Sequence, residues 1–169
     1  AKRGYAPGLA VIIVGEDPAS TVYVRNKGRA CDEVGFYSEI HRLPEETTKE
    51  QLLELVHSLN KNDKIHGILV QSPLPKHLDE ALIVNNIDYN KDVDAFHPVN
   101  VGKIMIGDYN FLPCTPAGVM EMLKEYEIDV AGKNCVVVGR SNIVGKPMAM
   151  LLLHANGTVT ICHSRTSLN

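Results

Sequence analysis

The sequence predicts an α/β protein with parallel sheets, in two parts, and three observations carry the prediction. Short apolar runs alternate with helical periodicity up to about residue 86. Residues 91–113 break that rhythm. The chain then writes Cys135-Val136-Val137-Val138-Gly139, a turn to Gly145-Lys146-Pro147, an apolar helix at 148–155 and a last strand at 158–162. Strand, glycine-bounded turn, helix and strand in that order are the opening βαβ unit of a dinucleotide-binding domain.

Each element has its own signal. Residues 9–14 are continuously apolar, as expected of a strand buried on both faces of a parallel sheet. Asp17-Pro18-Ala19-Ser20 opens a helix to about Glu33, and Gly35 stops it. Residues 36–43 read as the second strand. Thr48 and Gln51 form a capping box, behind which Leu52, Leu55, Val56 and Leu59 fall at helical spacing. Gly67-Ile68-Leu69-Val70 is the third strand, and a helix follows at about 79–86. Residues 91–113, rich in Gly, Asp, Asn and Pro, read as an irregular connector of a length often functional. Pro116 fits the first turn of a helix running to about Tyr126.

The 169 residues are 44% hydrophobic and 22% charged, a globular composition. A net charge of −3 with scattered Lys and Arg argues against nucleic acid and acidic membrane partners. No apolar run is long enough to span a bilayer, and no signal peptide is visible. The four cysteines contain no CxxC pair, and two lie in apolar strands. That favours a reducing, cytoplasmic compartment. The seven histidines show no HxxxH spacing, and no metal site is expected.

Gly139 and Gly145 bracket the first βα turn, where glycine permits close approach to a pyrophosphate at a helix N-terminus. The fit to GxGxxG is imperfect, because Ser141 holds the middle position and Gly145 comes one residue late. After the second strand stands His163-Ser164-Arg165-Thr166, with no acid for a ribose 2′-hydroxyl. Ser164 and Arg165 suit a 2′-phosphate, with Arg140 as a second cation, and this favours NADP over NAD.

Upstream, Tyr23 and Lys27 are four apart and share a helix face. Gln71 ends the third strand beside a proline-rich turn, where its amide needs partners. Asp92 and Asp94 offer two carboxylates, of which one is expected to be functional. Arg25 points away from the Tyr23/Lys27 face and is a poor anchor for a substrate carboxylate.

Five motifs now stand in order: Ser20-x-x-Tyr23-Val24-x-x-Lys27, Gly67-Ile68-Leu69-Val70-Gln71-x-Pro73-Leu74-Pro75, Lys91-Asp92-Val93-Asp94, Pro113-Cys114-Thr115-Pro116 and Gly139-Arg140-Ser141-x-x-Val144-Gly145-x-Pro147. Together they closely resemble the methylenetetrahydrofolate dehydrogenase/methenyltetrahydrofolate cyclohydrolase family, from about residue 8 to 166. The resemblance implies hydride transfer from methylenetetrahydrofolate to NADP, then hydrolysis of the methenyl cation to 10-formyltetrahydrofolate. It implies Lys27 as the central catalytic residue, held by Gln71, with Tyr23 stacking on the folate and Asp94 binding the pterin edge. Val24, Val70 and Ser72 complete the implied substrate contacts. Gly139, Arg140, Ser141, Ser164 and Arg165 are the implied cofactor contacts.

The fold implied is an N-terminal parallel-sheet α/β catalytic domain, residues 1–117, followed at 118–169 by the first half of a Rossmann-type NADP-binding domain. Measured against the family the chain is expected to be truncated at both ends, lacking the rest of the nucleotide sheet. A homodimer is also implied. Ala95 stands where the family commonly has Gly, so a positive φ there would be strained. Ser72 replaces a frequent apolar residue. A dehydrogenase without cyclohydrolase activity, another Rossmann oxidoreductase and a non-catalytic binding module are the competing readings.

Overall fold

The computed structural model describes residues 4–167. The chain forms two compact units that part between Val93 and Asp94.

The first unit runs β1 (Gly8–Val14), α1 (Pro18–Val34), β2 (Tyr37–Leu43), α2 (Lys49–Lys61), β3 (Gly67–Val70) and α3 (Glu80–Asn86). Its sheet has the order β2-β1-β3, and both pairings are parallel. The apolar run of β1 therefore lies in the centre, with Val11 opposite Ile40 on one side and Leu69 on the other. Alternation sends its side chains to both faces. Ala10, Ile12 and Val14 join Leu52, Val56 and Ile68 in one core, while Val11 and Ile13 join Val24 and Leu69 in the other. Each fully buried Ile or Val contributes roughly 1.5–3 kcal/mol of transfer free energy, so the two faces of β1 fix α1 and α2 on opposite sides.

The helix signals act as their chemistry predicts. The Asp17 carboxylate accepts from Ser20 N–H at 2.8 Å, satisfying a free donor of the first turn. Gly35 ends α1 at φ 74°, and the following Phe36 N–H reaches Cys31 O at 2.8 Å. At α2, Thr48 and Gln51 form both bonds of the capping box. The other end of α2 is closed from a distance. Lys91 Nζ donates to Leu59 O at 3.1 Å and Asn62 O at 2.9 Å. Lys91 O in turn accepts from Ile68 N–H at 2.7 Å, which lays residues 91–92 beside β3. Gly67 makes room for this segment, since a Cβ there would lie 2.5 Å from Val93 Cγ1.

The second unit contains α4 (Pro98–Ile106), α5 (Cys114–Glu125), β4 (Asn134–Val138), α6 (Gly145–His154) and β5 (Thr158–Cys162). Here the irregular connector expected at 91–113 is corrected, because its middle is the helix α4. Pro98 occupies the first turn, the His97 ring accepts from Val99 N–H at 3.2 Å, and Gly107 closes the helix at φ 80°. α5 begins two residues before Pro116, which still lies in the first turn, where a missing N–H costs nothing. α6 begins at Gly145 rather than Met148 for the same reason, since Pro147 is accommodated in its first turn. β4 and β5 pair in parallel, with Val136 opposite Thr160. Val137 and Val159 pack with Met148, Leu151 and Leu152 of α6 and with Leu123 of α5. Fold class and parallel pairing are thus as the sequence predicts.

Candidate active site

Parallel pairing of β1 with β3 puts their carboxyl ends side by side, with Ile12 opposite Val70. The next residue, Gln71, continues the ladder by donating its N–H to Ile12 O at 2.8 Å. α1 leaves β1 at this same edge and crosses the sheet face on Val24, which is fully buried against Val11, Ile13 and Leu69. Ser20, Val24 and Cys31 form its buried stripe. Tyr23 and Lys27 lie on the flank, Tyr23 62% exposed and Lys27 half-buried.

Lys27 Nζ donates to Gln71 Oε1 at 2.7 Å. A bond this short with an ammonium donor is charge-assisted. The Gln71 amide nitrogen donates to Ser72 O at 2.8 Å, so both ends of the carboxamide are engaged. Ser72 O also accepts from the hydroxyl of Ser20 at 3.4 Å, and Ser20 is 3% exposed. The hydroxyl of Ser72 donates to the Glu80 carboxylate at the start of α3. Tyr23, Lys27, Gln71, Ser72 and Val70 thus gather at one edge of the first unit. Val24 differs: the whole residue is buried in the core, where it supports the edge from beneath. Reading the sequence for reactive groups passed over Ser20 and Glu80. The signal for the first was its place three residues before Tyr23, at the head of the first sequence motif.

Asp92 and Asp94 separate by burial. Asp92 is 2% exposed and bridges to Ile68, whereas Asp94 is half-buried at the start of the second unit. Asp94 is therefore the carboxylate of the two with access to solvent. Ala95 follows at φ 57° and 1% exposure. The left-handed conformation anticipated for this position is adopted, at a cost of about 1–2 kcal/mol for an L side chain.

In the second unit, Gly139 leaves β4 at φ 146° and donates its N–H to Cys162 O at 2.8 Å. That bond extends the ladder past Val138 and sets the turn after β4 beside the turn after β5. Ser141 Oγ accepts from the N–H groups of Val144 and Gly145, both at 3.2 Å, leaving its own proton for another acceptor. Gly145 packs directly on the turn, where a Cβ would lie 2.5 Å from Gly139 O. After β5, Thr166 and His163 close a tight turn: His163 N–H donates to Thr166 Oγ1 at 2.8 Å and Thr166 N–H to His163 O at 2.8 Å. Ser164 and Arg165 are exposed on it, and Arg140 is exposed on the neighbouring turn. A helix N-terminus, a hydroxyl and two guanidinium groups at one sheet edge suit a phosphorylated ligand.

At the start of α1, the Asp17 carboxyl is held below its ordinary range by the Ser20 backbone N–H and then its hydroxyl. Burial raises the Cys31 thiol, with Asp32 adding to the effect. Among the described residues, no group of three or more His, Cys, Asp or Glu is arranged to hold a metal ion.

Comparison with known proteins decides the lineage. The family model described as tetrahydrofolate dehydrogenase/cyclohydrolase, catalytic domain, matches residues 1–94. The one described as tetrahydrofolate dehydrogenase/cyclohydrolase, NAD(P)-binding domain, matches residues 113–169.

The chain belongs to the tetrahydrofolate dehydrogenase/cyclohydrolase family.

It is 68% identical over 165 residues to the bifunctional protein FolD of Acetivibrio thermocellus, covering 98% of this chain and 58% of that protein. FolD of Moorella thermoacetica is 63% identical over 164 residues, covering 97% and 59%. The chain thus spans somewhat over half the length of the curated relatives it matches. Among solved structures, the bifunctional FolD of Campylobacter jejuni superposes with a TM-score of 0.94 at 51% identity, covering 98% of this chain and 59% of that one. The Trypanosoma brucei dehydrogenase-cyclohydrolase, solved with NADP cofactor and an inhibitor, gives 0.92 at 41% identity, covering 98% and 57%. Membership of this family makes the two matched segments a catalytic and an NAD(P)-binding domain.

Proposed function

We propose that the protein carrying this sequence oxidises 5,10-methylenetetrahydrofolate with NADP. It then hydrolyses the methenyl product to 10-formyltetrahydrofolate, a step of one-carbon metabolism. The observation that carries this reading is the 2.7 Å bond from Lys27 Nζ to Gln71 Oε1 at the carboxyl edge of the sheet. A lysine held by a neutral acceptor keeps its position without a carboxylate that would fix its charge. Lys27 then moves the proton of the attacking water, and Gln71 aims its amine. Tyr23, exposed one helical turn before Lys27, supplies a stacking face. Asp94 accepts the N–H groups of the pterin edge. Tyr23, Val24, Lys27, Val70, Gln71, Ser72 and Asp94 form the substrate set, Val24 from the core beneath it.

Gly139, Arg140, Ser141, Ser164 and Arg165 bind the cofactor. The open turn at Gly139, the uncommitted Ser141 proton and the two exposed arginines fit a dinucleotide with a 2′-phosphate. When bound, NADP supplies the hydride acceptor. In functional terms we divide the chain into residues 1–117 for folate and 118–169 for cofactor. The NADP-bound trypanosomal relative supports the choice of cofactor. We further propose a cytoplasmic homodimer, on the family resemblance and the reduced cysteines.

The test is turnover of methylenetetrahydrofolate by the full-length protein with NADP and with NAD, followed by methenyl absorbance. The reading predicts preference for NADP, with methenyl formed and then consumed. Equal efficiency with NAD sinks the assignment of Ser164 and Arg165, and absence of any methenyl signal sinks the dehydrogenase.

A further inference from the structure

The Gln71 carboxamide faces two partners that require opposite ends of it. Its Oε1 accepts from the Lys27 ammonium at 2.7 Å, and its Nε2 donates to Ser72 O at 2.8 Å. A reversed amide would set NH₂ against NH₃⁺ and carbonyl against carbonyl. The Ser72 carbonyl is therefore the group that selects the orientation in which Lys27 finds an acceptor. Ser72 is held at two points: its carbonyl accepts from the Ser20 hydroxyl at 3.4 Å, and one step further out its own hydroxyl donates to the carboxylate of Glu80.

Glu80 is the first residue of α3, and its carboxylate is not committed to capping that helix. Asp79 does that work, accepting from Leu82 N–H at 3.1 Å. An O–H donor to a carboxylate is among the stronger neutral-to-charged bonds. Ser72 thereby ties the strand-end residue Gln71 to the start of α3. α3 itself is anchored by Ile83, which is fully buried in the core beneath the sheet.

We propose that Glu80 is a positioning residue for the Lys27 site. It anchors Ser72, whose carbonyl holds the Gln71 carboxamide with Oε1 toward the Lys27 amine. This rests on the reading of Lys27 as the group that moves protons, but its structural half stands apart from that reading.

The experiment compares E80A, E80Q, S72A and the double variant E80A/S72A in the full-length protein. Two readouts are taken: the ¹⁵N side-chain amide resonance of Gln71, and methenyltetrahydrofolate hydrolysis across pH. E80A and S72A are expected to broaden or shift the Gln71 amide signal. Each should lower kcat for hydrolysis by about ten-fold, and E80A, which lies outside the substrate set, should leave KM little changed, because loosening an aimed group costs rate rather than binding. E80Q keeps an acceptor oxygen and should restore both readouts. The double variant should be no worse than either single one. Equal losses in E80A and E80Q, tracking melting temperature, would assign Glu80 to the helix dipole and overturn the proposal. An unmoved Gln71 resonance in E80A overturns it as well. If the resonance moves as expected while the wild-type protein hydrolyses no methenyl substrate, the positioning stands and the proposed function falls.

Discussion

Replacing Gly145 with Ala should damage the cofactor turn more than any other single methyl addition in the second unit. The added Cβ would lie 2.5 Å from Gly139 O, 2.6 Å from Gly139 C and 2.8 Å from Arg140 N. All three are backbone atoms, so no side-chain rotation relieves the contact. Moving from 2.5 Å to the 3.4 Å at which ordinary contact begins requires the turn and α6 to part by roughly 0.9 Å. The two bonds from Val144 and Gly145 N–H to Ser141 Oγ, now 3.2 Å, would then exceed hydrogen-bonding distance. Overpacking costs about 1–3 kcal/mol and each lost bond about 1 kcal/mol. The sum corresponds to a melting temperature lower by roughly 5–10 °C. NADP affinity should fall by at least about ten-fold, since the backbone proposed to face the phosphate moves with the turn. Circular dichroism melting and an NADP titration of the full-length protein read the two effects. Gly118, exposed in α5 with nothing within 4 Å of an added Cβ, is the control. Gly118→Ala should raise the melting temperature through helix propensity. A Gly145→Ala protein that melts within 2 °C of wild type and binds NADP equally would refute the reasoning.

Two further outcomes follow from the first unit. Lys91→Met removes both bonds from Nζ to the carboxyl end of α2 and should cost about 1–2 kcal/mol without altering the Lys27–Gln71 pair. Chemical denaturation measures it, and an unchanged midpoint would show that water replaces the amine. The second concerns pH. The Asp17 carboxyl is held below its ordinary range in the folded chain. Its contribution is therefore present above the unfolded pKa, about 3.9, and lost as pH falls through the folded value. The melting-temperature gap between wild type and Asp17→Asn should shrink below about pH 4. A gap constant from pH 3 to 7 would contradict this assignment.

Local rules made most of the fold legible, and where they failed the cause is physical. Gly67–Val70 and Thr158–Cys162 stand out because they are short, β-branched and flanked by turn residues. Thr48 and Gln51 announce α2 through bonds confined to four residues. α4 was hidden because Asn100 and Gly102 dilute its pattern and its N-cap is a histidine ring rather than one of the common capping side chains. Its stop signal, Gly107, was visible but ambiguous within a segment rich in Gly, Asp and Asn. The Lys27–Gln71 bond joins residues 44 apart, so spacing alone put Tyr23 beside Lys27 and never Gln71 beside either. Val24 shows the opposite failure, because a motif position adjacent to the candidate site residues is here a core side chain. The left-handed Ala95 was anticipated only by comparing its position with the family's usual glycine.

The central claim is that Lys27, held by Gln71, performs the hydrolytic step, and Lys27→Met in the full-length protein tests it most directly. Methenyltetrahydrofolate is mixed with the variant and its absorbance followed, with NADP binding measured in parallel. The account predicts hydrolysis slowed by at least about 10²-fold, the usual scale for losing a proton-transfer group, with NADP binding unchanged. Hydrolysis at the wild-type rate would contradict it.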